Sequence, residues 1–230
     1  MTKRRRKKRR LKIKNILIFI LIIITISLTG YYFVTLPIKN IYIKGNNIVT
    51  DNDIIEESEI NNYPSFLLTS TFKMEHKLKK NKFIDKARIT KKLGNIIEIN
   101  IKEYKPLAII EEKNQIILSS GNIVDNIYNI TDSPILTNSI DEKIFPNFIA
   151  KFNKINNGIL RQISQIEYSP TNVDNSRFLL YMNDSNMVYI TLTKIDKLNK
   201  YNKIKDKMQN NTGIIYLDSG NYIELKNNKE

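Results

Sequence analysis

Cysteine and tryptophan are absent from this chain, and His76 is its single histidine. Without thiols it has neither disulfide bonds nor thiolate metal sites. One histidine also leaves no His-based zinc site to be assembled within one copy. The signatures of common catalytic centres are missing too: there is no GxSxG, no GxxxxGK[ST], no HExxH and no EF-hand loop. Carboxylates stand in pairs at Glu56-Glu57 and Glu111-Glu112, where adjacent acids read as solvated surface, and glycoside hydrolysis would need two acids on separate elements facing one cleft. Little is left for acid–base chemistry. Alanine is scarce while lysine, asparagine and isoleucine are abundant, a bias that an AT-rich genome produces without functional cause.

The net charge of +14 resembles a nucleic-acid signal until its distribution is considered. Ten lysines and arginines fall between Lys3 and Lys14; the remaining 27 basic and 23 acidic residues leave a balance of only +4. That is an ordinary surface, and it calls for no polyanionic partner.

Directly after the basic run comes Ile16 to Leu36, ILIFILIIITISLTGYYFVTL, without one charged side chain. At about 1.5 Å per helical residue it reaches roughly 31 Å, close to the hydrocarbon thickness of a bilayer. It is longer than the apolar region of a cleaved signal and lacks a small-x-small exit. Ile and Leu occupy every face, which excludes an amphipathic core helix. A single uncleaved span over 15–36 is expected, with Tyr31 and Tyr32 at the outer interface. Only Lys39 and Lys44 follow it closely, so the amino-terminal tail, 1–14, is expected inside and the rest outside.

Beyond the span, Ile38, Ile41 and Ile43 lead into a turn at Gly45-Asn46, and Thr50-Asp51-Asn52-Asp53 supplies capping groups for a helix. Met74 and Leu78 place an apolar stripe on a second short helix, with His76 off that stripe. Ala87, Ile89, Lys91 and Leu93 then alternate along one strand and Ile97, Ile99, Ile101 and Glu103 along the next, joined by Gly94-Asn95. Such a pair reads as a hairpin with a type II′ turn. Two helices over a three-stranded sheet would bury these positions.

The stretch from Ile84 to Ala108, IDKARITKKLGNIIEINIKEYKPLA, resembles the POTRA signature of the FtsQ/DivIB family of bacterial cell-division proteins. Gly94 stands for the usual proline and Tyr104 for the usual arginine. Later segments are similar in order and spacing: Ser133-Pro134-Ile135-Leu136, an amphipathic helix carrying Phe145, Phe148, Ile149, Phe152 and Ile155, strands at 163–168, 178–182 and 187–192, a helix over about 195–208, and two closing strands.

The resemblance implies an α+β chain: one transmembrane helix, a POTRA domain (β-α-α-β-β) over 37–106, a mixed β domain with two helices packed on an antiparallel sheet over 107–226, and a tail at 227–230. Pro106 would mark the junction. The implied role is a non-enzymatic, cofactor-free scaffold in the cytoplasmic membrane at the septum, binding FtsL-like and FtsB/DivIC-like bitopic proteins through its outer domain. Nucleic acid and small-molecule substrates are not expected. Tyr216, Leu217, Asp218, Ser219, Gly220, Asn221 and Tyr222 are the implied contacts, with Arg177 as an addition, since an exposed edge strand can accept a partner's strand. The alternative is a POTRA-containing component of outer-membrane assembly or secretion.

Overall fold

The computed structural model describes residues 13–209 and 211–226. All but the last two residues of the basic tail, and the whole tail at 227–230, lie outside the described residues. Helix α1, Ile13–Thr35, comes first and buries none of its side chains against the rest of the chain. It is long and apolar enough to cross a membrane once.

The POTRA unit runs β1 (Asn40–Lys44), α2 (Asp51–Glu57), α3 (Thr71–Leu78), β2 (Ile84–Lys92) and β3 (Ile96–Glu103). Both helices start on a capping hydroxyl: Thr50 accepts from the Asp53 amide and Ser70 from the Lys73 amide. Strand β3 lies between β1, which it pairs in parallel, and β2, which it pairs antiparallel. The alternating residues Ala87, Ile89, Ile97, Ile99 and Ile101 are buried under Ile54, Met74 and Leu78, as the periodicity requires. Leu93 departs from that pattern and is exposed. Strand β2 has ended at Lys92, and the connection is a three-residue turn in which Gly94 (φ +84°) and Asn95 (φ +61°) are both left-handed, so it is not a type II′ turn.

The second unit is a nine-stranded sheet ordered β12-β11-β10-β9-β8-β7-β4-β5-β6. Its strands are β4 (Pro106–Ile110), β5 (Gln115–Leu118), β6 (Ile123–Asp125), β7 (Ile135–Leu136), β8 (Ile163–Tyr168), β9 (Arg177–Met182), β10 (Met187–Thr191), β11 (Gly213–Tyr216) and β12 (Tyr222–Leu225). Two antiparallel meanders, β4-β5-β6 and β8-β9-β10, are joined through the short β7, which is parallel to both neighbours; β11 also runs parallel to β10. The sheet is therefore mixed rather than wholly antiparallel: helical segments at 145–160 and 192–207 carry the chain from β7 to β8 and from β10 to β11, and such crossovers return it parallel.

Helices α4 (Phe145–Phe152), α5 (Asn157–Leu160) and α6 (Tyr201–Lys207) cover one face. The aromatic stripe is core: Phe148 and Phe152 are buried, with Phe148 stacked on Phe178 at 5.5 Å between ring centroids. The expected helix over 195–208 is a 3₁₀ segment, Leu192–Lys200, followed by α6, yet Ile195, Leu198, Tyr201 and Met208 all point inward as the spacing demanded. Strands β4 and β5 are buried on both faces: Leu107, Ala108 and Ile117 belong to this core, while Ile109, Ile116 and Leu118 join the POTRA core. Pro106 thus begins a buried strand rather than an exposed linker.

Candidate partner-binding edge

The carboxyl-terminal end of the sheet is built by a row of stacked side chains on the face away from the helices. Alternation along β9 sends Phe178, Leu180 and Met182 into the core and Arg177, Leu179 and Tyr181 to the other face. There the Arg177 guanidinium carbon lies 3.8 Å from the centre of the Tyr189 ring; Tyr189 stacks on Tyr216 at 5.3 Å, and Tyr216 on Tyr222 at 4.4 Å with an interplanar angle of 13°. Four adjacent strands are therefore linked by one arginine and three tyrosines. Each such pair adds about 0.5–1.5 kcal/mol beyond its burial. This matters for β12, which buries no residue and is held by its ladder to β11 and by this stack.

Arg177 also fixes the loop between the last strands. Its Nε donates to Asp218 Oδ2 at 2.8 Å, with both side chains largely buried. Burial opposes the Asp218 charge, but Arg177 and the Ser219 amide together hold its carboxyl below the usual carboxylate range. Lys194 reaches the Asp218 carbonyl, and Lys197 donates to Asn221 Oδ1 at 2.7 Å. Desolvation and the neighbouring Glu224 carboxylate raise the Tyr216 phenol above its ordinary value, so its hydroxyl stays protonated and donates to Glu224.

The seven loop and strand residues singled out by the resemblance are thus brought together with Arg177, but they are not equivalent. Leu217 is buried in the core, so its side chain packs and cannot meet a partner. Asp218 is engaged by Arg177. Ser219 and Gly220 are exposed in the turn, and Asn221 is left-handed at φ +56°, a conformation that proline cannot adopt.

The free edge is β12 itself. The Leu217 amide donates to the Tyr189 carbonyl at 2.8 Å and the Lys226 amide to the Thr212 carbonyl at 2.9 Å. Antiparallel alternation then pairs Tyr222 and Glu224 with β11 and turns the amides and carbonyls of Ile223 and Leu225 outward. Tyr222 is 50% exposed, Ile223 38% and Leu225 48%. At the opposite end of the sheet β6 is only three residues long and buries Val124 in the POTRA core. Close approach of β11 and β12 depends on Gly213, where a Cβ would fall 2.4 Å from the Glu224 carbonyl oxygen.

A buried polar cluster sets the start of β11. Asn186 Oδ1 accepts from the Gly213 amide at 2.9 Å, and its amide group donates to the Tyr201 hydroxyl and to Asp184, both at 3.0 Å. Tyr201 in turn donates to Asp184 at 2.7 Å; burial, reinforced by that carboxylate, pushes its phenol far above the ordinary value. Burial again works against the Asp184 charge, yet Tyr201 and Lys205 hold its carboxyl low.

Among the described residues no three His, Asp or Glu side chains converge as a metal site. Of the paired acids, Glu56, Glu111 and Glu112 are exposed; Glu57 is half-buried and accepts from Asn81 at 2.7 Å.

The profile of the FtsQ-type POTRA domain matches residues 36–104. The cell division protein DivIB of Bacillus subtilis (strain 168) is 33% identical over 193 residues, which span 81% of this chain and 73% of that protein. The chain belongs to the FtsQ/DivIB family. DivIB of Listeria monocytogenes is 29% identical over 87% of the chain and 77% of its own length, and that of Bacillus anthracis 33% identical over 70% and 62%. The solved extracytoplasmic domain of DivIB from Geobacillus stearothermophilus is 23% identical, covers 48% of this chain and 98% of its own, and superposes with a TM-score of 0.39. For this family member, the residues that sequence reading passed over are Tyr189, Ile223, Leu225 and Asn186. Alternation in Met187–Thr191 marks Tyr189 as outward, but nothing local pairs it with Arg177 or Tyr216.

Proposed function

We propose that this chain is a non-enzymatic, membrane-anchored scaffold of the division machinery, at the cytoplasmic membrane of the septum, which holds FtsL-like and FtsB/DivIC-like bitopic partners by strand addition to β12. The observation that carries the reading is an edge strand with outward amides at Ile223 and Leu225 and apolar side chains exposed on both faces. Two outward residues offer two donors and two acceptors, and each hydrogen bond made is worth about 0.5–1.5 kcal/mol net. Tyr222 adds an aromatic anchor whose back is supported by the stack and whose edge is free. The FtsQ-type match favours this reading over outer-membrane assembly or secretion.

Ile223→Pro is the discriminating variant. Its amide is not in the β11 ladder, so the substitution removes a donor from the partner's side while leaving the existing pairs intact. Binding of the full chain in nanodiscs to the FtsB/DivIC-like partner should weaken about tenfold or more, equivalent to about 1.4 kcal/mol or above. Unchanged affinity for folded Ile223→Pro and Tyr222→Ala proteins would remove β12 as the contact and direct attention to the exposed edge β1.

A further inference from the structure

The end of the POTRA unit next to α1 exposes large apolar side chains that no core requires. Phe72 is 76% exposed, Leu68 70%, Leu67 52% and Leu93 98%. They come from two segments far apart in sequence, the 65–72 stretch and the β2–β3 turn, and both are tied to the exit of α1. On one side the Phe66 amide donates to the Leu36 carbonyl at 2.9 Å, the Ile38 amide to the Pro64 carbonyl at 3.0 Å, and Ser65 Oγ to the Val34 carbonyl. On the other, the Lys39 amide donates to the Asn95 carbonyl at 2.9 Å and Asn95 Nδ2 to the Pro37 carbonyl at 3.1 Å.

These bonds fix the depth of the patch. If α1 leaves the hydrocarbon near Thr35, Ser65, Phe66 and Asn95, each one hydrogen bond from Val34, Leu36 or Pro37, start within the headgroup layer, which is about 5–8 Å deep on each side of a bilayer. A lysine frames the same surface: Lys91 Nζ donates to the Leu67 carbonyl at 3.1 Å and sits 5.0 Å from the centre of the Phe66 ring. Apolar tips with a cation beside them suit an interface where tails and anionic headgroups meet. An apolar cluster left in water beside the span has no such complement.

We propose that Leu67, Leu68, Phe72 and Leu93 insert into the outer leaflet beside the span, with Lys91 at the anionic headgroups. The contact orients the POTRA unit against the membrane instead of leaving it to swing on a linker. The inference rests on α1 being a membrane span.

Because the chain has no tryptophan, single substitutions give background-free probes. The full chain carrying Leu67→Trp, Phe72→Trp or Leu93→Trp is reconstituted into vesicles of phosphatidylcholine and phosphatidylglycerol brominated near the carbonyl end of the acyl chains, and the Ile24→Trp reference into vesicles brominated near the methyl end. Val173→Trp, in an exposed loop of the second unit, and Ile24→Trp, in α1, serve as the outer and inner references. Quenching of the three probes at least twofold above that of Val173→Trp, and stronger with phosphatidylglycerol than without it, is the expected result. Quenching equal to Val173→Trp while Ile24→Trp is quenched overturns the contact but keeps the span, and a signal that instead changes with protein density in the vesicle assigns the patch to a second copy. Loss of quenching at Ile24→Trp overturns the span and the contact together.

Discussion

Asn186→Ala tests whether the buried polar cluster is what positions the final strand pair. The substitution deletes the acceptor of the Gly213 amide and the donor to both Tyr201 and Asp184. Gly213 is buried, so its amide is left without a partner at about 1–3 kcal/mol, and the lost side-chain bonds add about 1 kcal/mol more. A total of about 3 kcal/mol should lower the melting temperature by about 6–12 °C for a folded unit of this size. The measurement is thermal unfolding of the full chain in nonionic detergent, followed by near-ultraviolet circular dichroism of its tyrosines. Asn183→Ala is the control: it lies in the same turn, is exposed, and bonds only the Arg161 carbonyl, so it should cost under about 1 kcal/mol. Tyr201→Phe keeps the buried ring and removes one arm of the cluster, so combining it with Asn186→Ala should cost less than the sum of the two. Asn186→Ala within about 0.5 kcal/mol of the parent, or strict additivity with Tyr201→Phe, would refute the argument.

Gly213→Ala places a methyl group 2.4 Å from the Glu224 carbonyl oxygen, so β12 should detach and partner binding fall at least tenfold while the remaining sheet still unfolds cooperatively; retained binding would show that the strands separate without consequence. Asp218 is held low in the folded state, so its contribution is complete above the unfolded carboxylate value of about 3.9 and is lost as pH falls through the lower folded value. The stability difference between the parent and Asp218→Asn should therefore be large at neutral pH and shrink below about pH 4; a difference independent of pH would mean that the Arg177 pair contributes nothing. Limited digestion with a nonspecific protease should cut first in the 170–175 loop, where Val173 is exposed, and spare 105–110, since β4 is buried on both faces. Early cleavage beside Pro106 would indicate two independent units.

Much of the fold is legible from spacing alone, because helices and strands bury residues at fixed intervals. Met74 and Leu78, the Phe148–Phe152 stripe, and Ala87 and Ile89 against Ile97 and Ile99 each fall inward where the periodicity puts them. Leu93 fails because alternation holds only while the strand continues, and the turn begins one residue earlier than the pattern suggests. The parallel pairings of β7 and β11 leave no local trace: a two-residue strand has no period, and parallel partners are remote in sequence. The edge is half legible. Family resemblance points to 216–222 and Arg177, but the stack that supports them also needs Tyr189 on another strand, and Asn186 meets Gly213 across 27 positions. Leu217 looks like its neighbours in sequence and is distinguished only by continuing, one residue past β11, the inward alternation of Gly213 and Ile215.

Amide hydrogen exchange of the full chain in nanodiscs, with and without the outer part of the FtsB/DivIC-like partner, tests strand addition most directly. In the unbound protein Tyr222 and Glu224, laddered to β11, should exchange more slowly than Ile223 and Leu225, whose amides face solvent. Partner binding should slow Ile223 and Leu225 selectively, by at least tenfold. Protection at the partner-bound β1 edge with Ile223 and Leu225 unchanged would contradict the account.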